Sequence, residues 1–480
     1  MILTIIGAGP GGYETAAAAA ANGIETYLIS EGPLGGTCLN EGCIPTKALC
    51  RNAELIEDVR KAEKFGVSFA GQPDGAPAFV GQPDGAPAFV FDIHKAMERK
   101  DEVVDQLRGG IGMILKNKLI HIVQGKASFK DAHTVEVKSA EGEVTEIVSD
   151  YIMIATGSVS ASLPIPGADL EGVITSKEML EIDHVPSRLC IIGAGVIGLE
   201  FASVFNSFGS QVTVLEYCKD VLPHFDTDLA KRLKQALGKR GIDIETAAQV
   251  LSVEKCPDTG LKVSYKKKDA VEEVVADTVL MAVGRRPNLA SLNLADIGID
   301  FTPKGIVTDA GMRTNVPHVF AVGDIRGGLM LAHVATFEGR VALNAILAEN
   351  NLLQEPEKID FGIVPAAVFT VPEVATVGLT EEQCKEKGYA IKCYKSMFRA
   401  NGKAMAMDET EGYCKIIAYT GENGTYPKGT ILGAHILGAH ASDLVQEVAA
   451  MMALHGTVND LKCTVHSHPS LSEVVLSAVR

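Results

Sequence analysis

Two thiols stand five positions apart in Gly35-Gly36-Thr37-Cys38-Leu39-Asn40-Glu41-Gly42-Cys43-Ile44-Pro45-Thr46-Lys47. On an ideal helix their Cα atoms would lie roughly 8–9 Å apart, from helix rise and radius. A disulfide needs less than about 7 Å. Joining them requires a distorted turn, and Gly42 and Pro45 suit one. A close cysteine pair in an intracellular chain points to thiol–disulfide exchange rather than to a structural bridge. The remaining cysteines, at 50, 190, 218, 256, 384, 393, 414 and 463, are scattered and read as buried or idle thiols. Such scatter in a long chain argues against a disulfide scaffold.

Exchange requires a thiolate, and a dithiol substrate therefore needs a base tuned near neutral pH. The C-terminal run His466-Ser467-His468-Pro469-Ser470-Leu471-Ser472-Glu473 offers one. Histidine suits the task, and a carboxylate can orient its ring. Ser470 and Glu473 also have the spacing of a helix capping box. Both readings can hold, because Glu473 has two carboxylate oxygens. His468 is preferred to His466.

Positioning these groups falls to two segments built on one plan. Ile2–Ile6 is an apolar strand followed by Gly7-Ala8-Gly9-Pro10-Gly11-Gly12, an Ala-rich helix and a second strand at Thr26–Ile29. Leu189–Ile192 is followed by Gly193-Ala194-Gly195-Val196-Ile197-Gly198, a helix and a strand at Gln211–Leu215. Small residues there let the backbone approach a pyrophosphate whose charge sits at a helix N-terminus. One such fingerprint is weak; two with correct flanks are strong. Val319-Phe320-Ala321-Val322-Gly323-Asp324 ends a third apolar strand in a carboxylate that could meet a sugar hydroxyl or simply close a turn. From Leu352 the pattern changes. Strand-like runs at 366–370, 415–419 and 430–436 lead into a helix at 442–454, an α+β arrangement.

The chain has 480 residues, enough for about three domains. Its net charge of −16 disfavours nucleic acid and anionic membrane. No apolar run is long enough to cross a bilayer, and the start lacks a basic, cleavable leader, so a cytoplasmic location is expected. The unit Gly71–Val80 recurs without change at 81–90, is rich in Gly and Pro, and reads as a surface loop without a catalytic role.

With these motifs in order, the sequence resembles the pyridine nucleotide–disulfide oxidoreductases over essentially its whole length, and within them the branch that oxidises dihydrolipoamide. The most specific parts are Gly-Gly-Thr-Cys38…Cys43-Ile-Pro-Thr-Lys47, the second fingerprint ending in Glu200, Gly323-Asp324, and His468-Pro469. The resemblance implies an α/β fold of two dinucleotide-binding (Rossmann-like) domains and a C-terminal α+β dimerisation domain. The expected divisions are 1–150 and 277–347 for FAD, 151–276 for NAD, and 348–480 for the interface. It implies that Gly7, Gly9, Gly12, Gly36, Thr37, Thr156, Gly157, Gly284 and Asp324 serve cofactor binding, with Asp324 at the ribityl chain. Gly193, Gly195 and Gly198 would carry the nicotinamide cofactor. Cys38 would exchange with substrate, Cys43 would face the flavin, and Lys47 and Glu200 would pair near its reactive nitrogen. His468, supported by Glu473, would serve the other subunit of a homodimer. The dithiol substrate would be a lipoyl group on a partner protein, from a 2-oxoacid dehydrogenase complex or the glycine cleavage system, since no lipoyl-bearing segment precedes Met1. No metal is implied.

Cofactor choice has a physical argument of its own. Glu216 closes a strand 23 positions after Gly193, where a carboxylate accepts from a ribose diol and repels a 2′-phosphate. No arginine follows in Tyr217-Cys218-Lys219-Asp220, so NAD is favoured over NADP. In the first unit the matching position is Ser30, and Glu31 just beyond is the candidate acid for the FAD adenosine. The rival readings are a glutathione-type reductase and a non-catalytic redox or structural subunit. Loss of a thiol or the base would favour the latter, and none is lost.

Overall fold

The computed structural model describes residues 1–67, 89–256, 260–354, 357, 359–422 and 424–480. The duplicated loop lies outside them, except for Phe89 and Val90. Among the described residues no helix is long and apolar enough to cross a membrane.

Two compact units divide the chain. The first comprises Met1–Ala48, Met97–Ala161 and Gly284–Ile359; the second comprises Leu49–Ala96, Ser162–Val283 and Asp360–Arg480. The first is built on a five-stranded sheet in the order Val319–Ala321, Tyr151–Ile154, Ile2–Ile6, Glu25–Ser30, Ile120–Gln124, every neighbouring pair parallel. Its three strands Val319–Ala321, Tyr151–Ile154 and Ile2–Ile6 are apolar nearly throughout, as parallel strands covered on both faces must be. The glycine turn after Ile2–Ile6 feeds the helix Pro10–Ala21, which packs on the helix Ala332–Glu349. That approach is very close: a Cβ on Gly339 would meet Thr15 Oγ1 at 2.1 Å.

The second unit repeats the plan. Its parallel sheet runs Asp243–Thr246, Gln211–Glu216, Arg188–Ile192, Thr278–Met281, Val173–Ile174. The glycine strand again has its two chain successors on one side and a later strand on the other. This is the order of dinucleotide-binding sheets, which places a ligand at the crossover. Both sheets carry a three-stranded antiparallel companion.

Beyond residue 360 the second unit holds a five-stranded antiparallel sheet, Ala366–Val368, Val374–Gly378, Ile431–Leu437, Tyr413–Tyr419, Ile391–Met397, covered by the helix Ala441–Ala453. The fold class expected from the sequence therefore holds. Two expected divisions shift, however. A cut at 150/151 would remove Tyr151–Ile154 from the first sheet, and a cut at 276/277 would remove Thr278–Met281 from the second. Both are short buried runs, and an apolar tetrapeptide does not announce which sheet it joins.

Lys415 stands in the fully buried strand Tyr413–Tyr419. Its ammonium lies 2.9 Å from Asp226 and 2.6 Å from Glu381, with Asp228 at 3.4 Å. Lys415 and Asp226 are both at 0% exposure, so each charge depends on the other members of the cluster, with Glu381 N–H also donating to Asp226.

Candidate functional site

The two cysteines are separated by a break in helical structure. One helix, Gly36–Glu41, carries Cys38; Gly42 departs to φ −149°, ψ −110°; a second helix, Cys43–Lys61, begins at Cys43. This is the distorted turn that the five-residue spacing demands. Both cysteines are present as thiols, and their side chains hydrogen-bond. That bond, then burial and the charge of the second sulfur, push the Cys38 thiol far up, against the opposing pull of Lys47. Cys43 is at a helix N-terminus, where the helix dipole favours negative charge on a side chain. Cys43 is exposed and Cys38 half-buried.

The segment is held from several sides. Asn40 Nδ2 donates to Gly36 O at 2.9 Å, and its Oδ1 accepts from Arg108 Nη2 at 2.8 Å. Gly36 lies at φ +59°, and a Cβ there would meet Gly9 Cα at 2.6 Å. The dithiol segment therefore starts directly on the first glycine turn.

The two glycine turns test the fit of dinucleotides. A Cβ on Gly12 would strike Gly7 O at 1.9 Å, and one on Gly198 would strike Gly193 O at 2.0 Å. Gly7 and Gly193 are at φ +113° and +109° with a carbonyl under each, Ala155 O and Ala282 O. First and third glycines are thus required by the protein itself. The middle ones are not: a Cβ on Gly195 meets nothing within 4 Å, and one on Gly9 meets only Gly36 Cα, at 3.9 Å. Their smallness serves something that approaches from outside, as a pyrophosphate does. The residues present fit a dinucleotide in both units.

Asp324, in the turn Gly323–Arg326, accepts from Ser158 Oγ at 2.5 Å. Ser158 in turn accepts from Arg285, Nε to Oγ and Nη2 to O, both at 2.7 Å. Arg285 also reaches Thr37 Oγ1 at 3.5 Å. Burial lowers its guanidinium, while the charges of Asp324, Glu41 and Cys43 act the other way. Ser158 and Arg285 are absent from the residues picked out by sequence. The signal available for Arg285 was its place directly after Gly284, at the end of an apolar strand. Thr156 Oγ1 donates to Asn288 O at 3.0 Å, and Gly157, at φ +70°, accepts from Asn288 N–H at 3.0 Å. Thr37, Thr156, Gly157, Gly284 and Asp324 all belong to the first unit, as does Lys47.

Glu200 belongs to the second unit, where it is 3% exposed and accepts from Phe369 N–H at 3.0 Å. Glu216 is buried at the end of its strand. Its carboxylate accepts from Ala194 N–H at 2.6 Å and from Cys218 N–H at 2.7 Å, which fixes it at the mouth of the glycine turn. A cavity of about 640 Å³ lies next along the chain, lined by Tyr217, Cys218 and Ala247 and by three cations, Lys219, Lys266 and Lys268. Two of these lysines come from a hairpin some fifty residues further on, beyond the reach of an argument about residues 217–220. Glu31, the candidate acid of the first unit, is exposed, and Ser30 rather than Glu31 holds the position that Glu216 holds in the second.

His468 is open at 78% side-chain exposure, with Nδ1 3.0 Å from Glu473 Oε1. The other oxygen of Glu473 accepts from Ser470 N–H at 3.0 Å. One carboxylate thus orients the ring and takes the backbone donor of a capping box; Ser470 Oγ pairs with Ser472 Oγ instead of closing that box. The His466 side chain is 4% exposed, with Nε2 at 2.7 Å from Glu447 and Nδ1 at 3.0 Å from Thr464 O. Both its nitrogens are engaged, which leaves His468 as the exposed imidazole of the two.

The chain is similar to known proteins in sequence and fold. Residues 1–339 match the pyridine nucleotide-disulphide oxidoreductase family, and residues 364–479 match its dimerisation domain. A dihydrolipoyl dehydrogenase of Bacillus subtilis is 37% identical over 476 residues, covering 99% of this chain and 94% of that protein. One from Haloferax volcanii is 37% identical over 483 residues, covering 99% and 95%. Among solved structures, the HOCl-induced flavoprotein disulfide reductase RclA of Escherichia coli superposes with a TM-score of 0.83 at 30% identity, over 100% of this chain and 99% of that one. LpdA of Mycobacterium tuberculosis gives 0.87 at 26% identity, over 100% and 99%. Relatives in this family use FAD and NAD(H), and the match to a dimerisation domain supports a homodimer. With the fold, both glycine turns and the dithiol in place over its full length, the chain belongs to the pyridine nucleotide-disulphide oxidoreductases.

Proposed function

We propose that this chain is a dihydrolipoyl dehydrogenase that oxidises a protein-borne dihydrolipoyl group and reduces NAD⁺. The supporting observation is the Cys38–Cys43 pair, held at hydrogen-bonding distance in a chain that aligns end to end with dihydrolipoyl dehydrogenases. His468, oriented by Glu473, removes the proton from one substrate thiol. The thiolate attacks Cys38 Sγ of the oxidised pair, breaking the Cys38–Cys43 bond and leaving Cys43 as thiolate. The second substrate thiol, deprotonated in turn, attacks the sulfur of the first. Cys38 departs and takes a proton, and the product is a cyclic disulfide. Two electrons now reside in the dithiol of the chain. When bound, FAD and NAD⁺ supply the acceptors that return the pair to the disulfide.

Gly7, Gly9 and Gly12 hold the FAD pyrophosphate in this reading, with Gly36, Thr37, Thr156, Gly157, Gly284 and Asp324 around the flavin. Gly193, Gly195, Gly198 and Glu216 hold NAD. Lys47 places positive charge beside the dithiol, consistent with its effect on Cys38. His468 works across a homodimer, and the lipoyl arm comes from a 2-oxoacid dehydrogenase complex or the glycine cleavage system, in the cytoplasm. The likeness to RclA favours a second reading, a disulfide reductase with another substrate.

The test is turnover of FAD-loaded protein with dihydrolipoamide, NAD⁺ against NADP⁺, beside Cys43→Ser. NADH formation that the variant abolishes supports the proposal. Absence of that turnover, with NAD(P)H-driven reduction of some other disulfide, would keep the family and replace the substrate.

A further inference from the structure

The two dinucleotide units can be compared position by position. In the second, Ile192 pairs with Leu215, Gly193 N–H donates to Leu215 O, and Glu216 follows. In the first, Ile6 pairs with Ile29, Gly7 N–H donates to Ile29 O, and Ser30 follows. Ser30 is therefore the counterpart of Glu216, and Ala8 and Gly32 are the counterparts of Ala194 and Cys218. Those last two residues donate their N–H groups to the carboxylate of Glu216.

The first unit lacks that acceptor. Ser30 Oγ donates to Gly32 O at 2.7 Å, and it is too short to reach the turn as a carboxylate would. Among the described residues, neither Ala8 N–H nor Gly32 N–H has a partner, although Ala8 is only 4% exposed. A buried backbone donor without an acceptor is uncommon and marks a place for a ligand atom. Glu31 does not supply the missing group. It lies one residue on, beyond the end of the strand Glu25–Ser30, and it is exposed, with no partner among the described residues.

We infer that the first unit binds the adenosine end of FAD without a carboxylate: the Ser30 hydroxyl and the Ala8 and Gly32 N–H groups take its place. The ribose hydroxyls then meet a neutral acceptor, and bonds of that kind are weaker than charge-assisted ones. The inference rests on FAD binding by the family and not on the identity of the dithiol substrate.

The experiment is FAD titration of the apoprotein, followed by flavin fluorescence, for the parent chain, Ser30→Glu, Ser30→Asp and Glu31→Gln, with the thermal midpoint of each apoprotein measured alongside. Ser30→Glu should tighten FAD by about tenfold, the worth of one charge-assisted bond over a neutral one. Ser30→Asp should move in the same direction, and Glu31→Gln should leave the dissociation constant within about twofold. A tenfold loss in Glu31→Gln would overturn the inference by making Glu31 the ribose ligand. Unchanged or weakened binding in a Ser30→Glu protein with a parental midpoint would overturn it too. Should both Ser30 variants fail to fold, Glu31→Gln alone decides.

Discussion

Glu473 Oε1 lies 3.0 Å from His468 Nδ1, on a ring that is otherwise open to solvent. Ser470 N–H, then His468, hold this carboxyl below the usual carboxylate range. Its negative charge is therefore present at neutral pH and is lost only as pH falls through the depressed value. His468→Gln should cost about 10²–10⁴-fold in dihydrolipoamide turnover, the range for a general base. Glu473→Gln should cost less, since it keeps an oxygen for Ser470 while removing the charge that faces the ring. Steady-state dihydrolipoamide turnover of both variants beside the parent checks this; parental turnover in Glu473→Gln would refute the orienting role.

The glycine turns separate protein packing from ligand binding. Gly198→Ala drives a Cβ into Gly193 O and should lower the thermal midpoint. Gly195→Ala meets open space and should melt with the parent, yet bind NADH at least tenfold more weakly, since a methyl then stands where a pyrophosphate must approach. Calorimetry and NADH titration on the same samples distinguish the two.

Glu216 anchors the turn through Ala194 and Cys218, and in the proposed function it also repels a 2′-phosphate. Lys219, Lys266 and Lys268 outnumber Asp220 in the lining of the adjoining cavity, so removal of Glu216 leaves a net cationic surface there. Glu216→Ala should raise KM for NAD⁺ and narrow the NAD⁺/NADP⁺ preference by about tenfold, one charge's worth of discrimination. Steady-state kinetics with both nucleotides measure it, and an unchanged ratio would remove Glu216 from cofactor choice.

Lys415→Met strands Asp226 in the core and should cost roughly 3–5 kcal/mol, read from chemical denaturation. Adding Asp226→Asn should recover part of the loss. The same cluster has a pH signature. Hydrogen bonds from Lys385 and then Lys415 lower Glu381 to about 2. A depressed carboxylate contributes stability above its unfolded value and loses it as pH falls. Melting temperatures should therefore drop between about pH 4.5 and 2, and more shallowly in Glu381→Gln.

The features legible in the sequence are those whose cause is local. Gly12 and Gly198 are dictated by a carbonyl five residues earlier, so their spacing reads directly. The break at Gly42 follows from the reach of a disulfide. Ser158 and Arg285 escaped because each depends on a partner more than a hundred residues away. Lys415 escaped for a similar reason: its acids arrive from Asp226 and Glu381, and nothing beside it in Tyr413–Tyr419 announces them. The two shifted boundaries have the same origin, short apolar strands whose sheet is settled by tertiary pairing.

Asp226 and Lys415 also bear on how the molecule could be taken apart. Asp226 stands just before the helix Thr227–Lys239 of the nucleotide-binding part, and its cation comes from the antiparallel sheet. Residues 162–283 expressed as a free-standing fragment would expose that carboxylate's burial site without its ammonium, and residues 360–480 alone would keep an ammonium without its acid. Dissection of this chain into portable modules would therefore need both positions neutralised together, or the two segments retained as one piece.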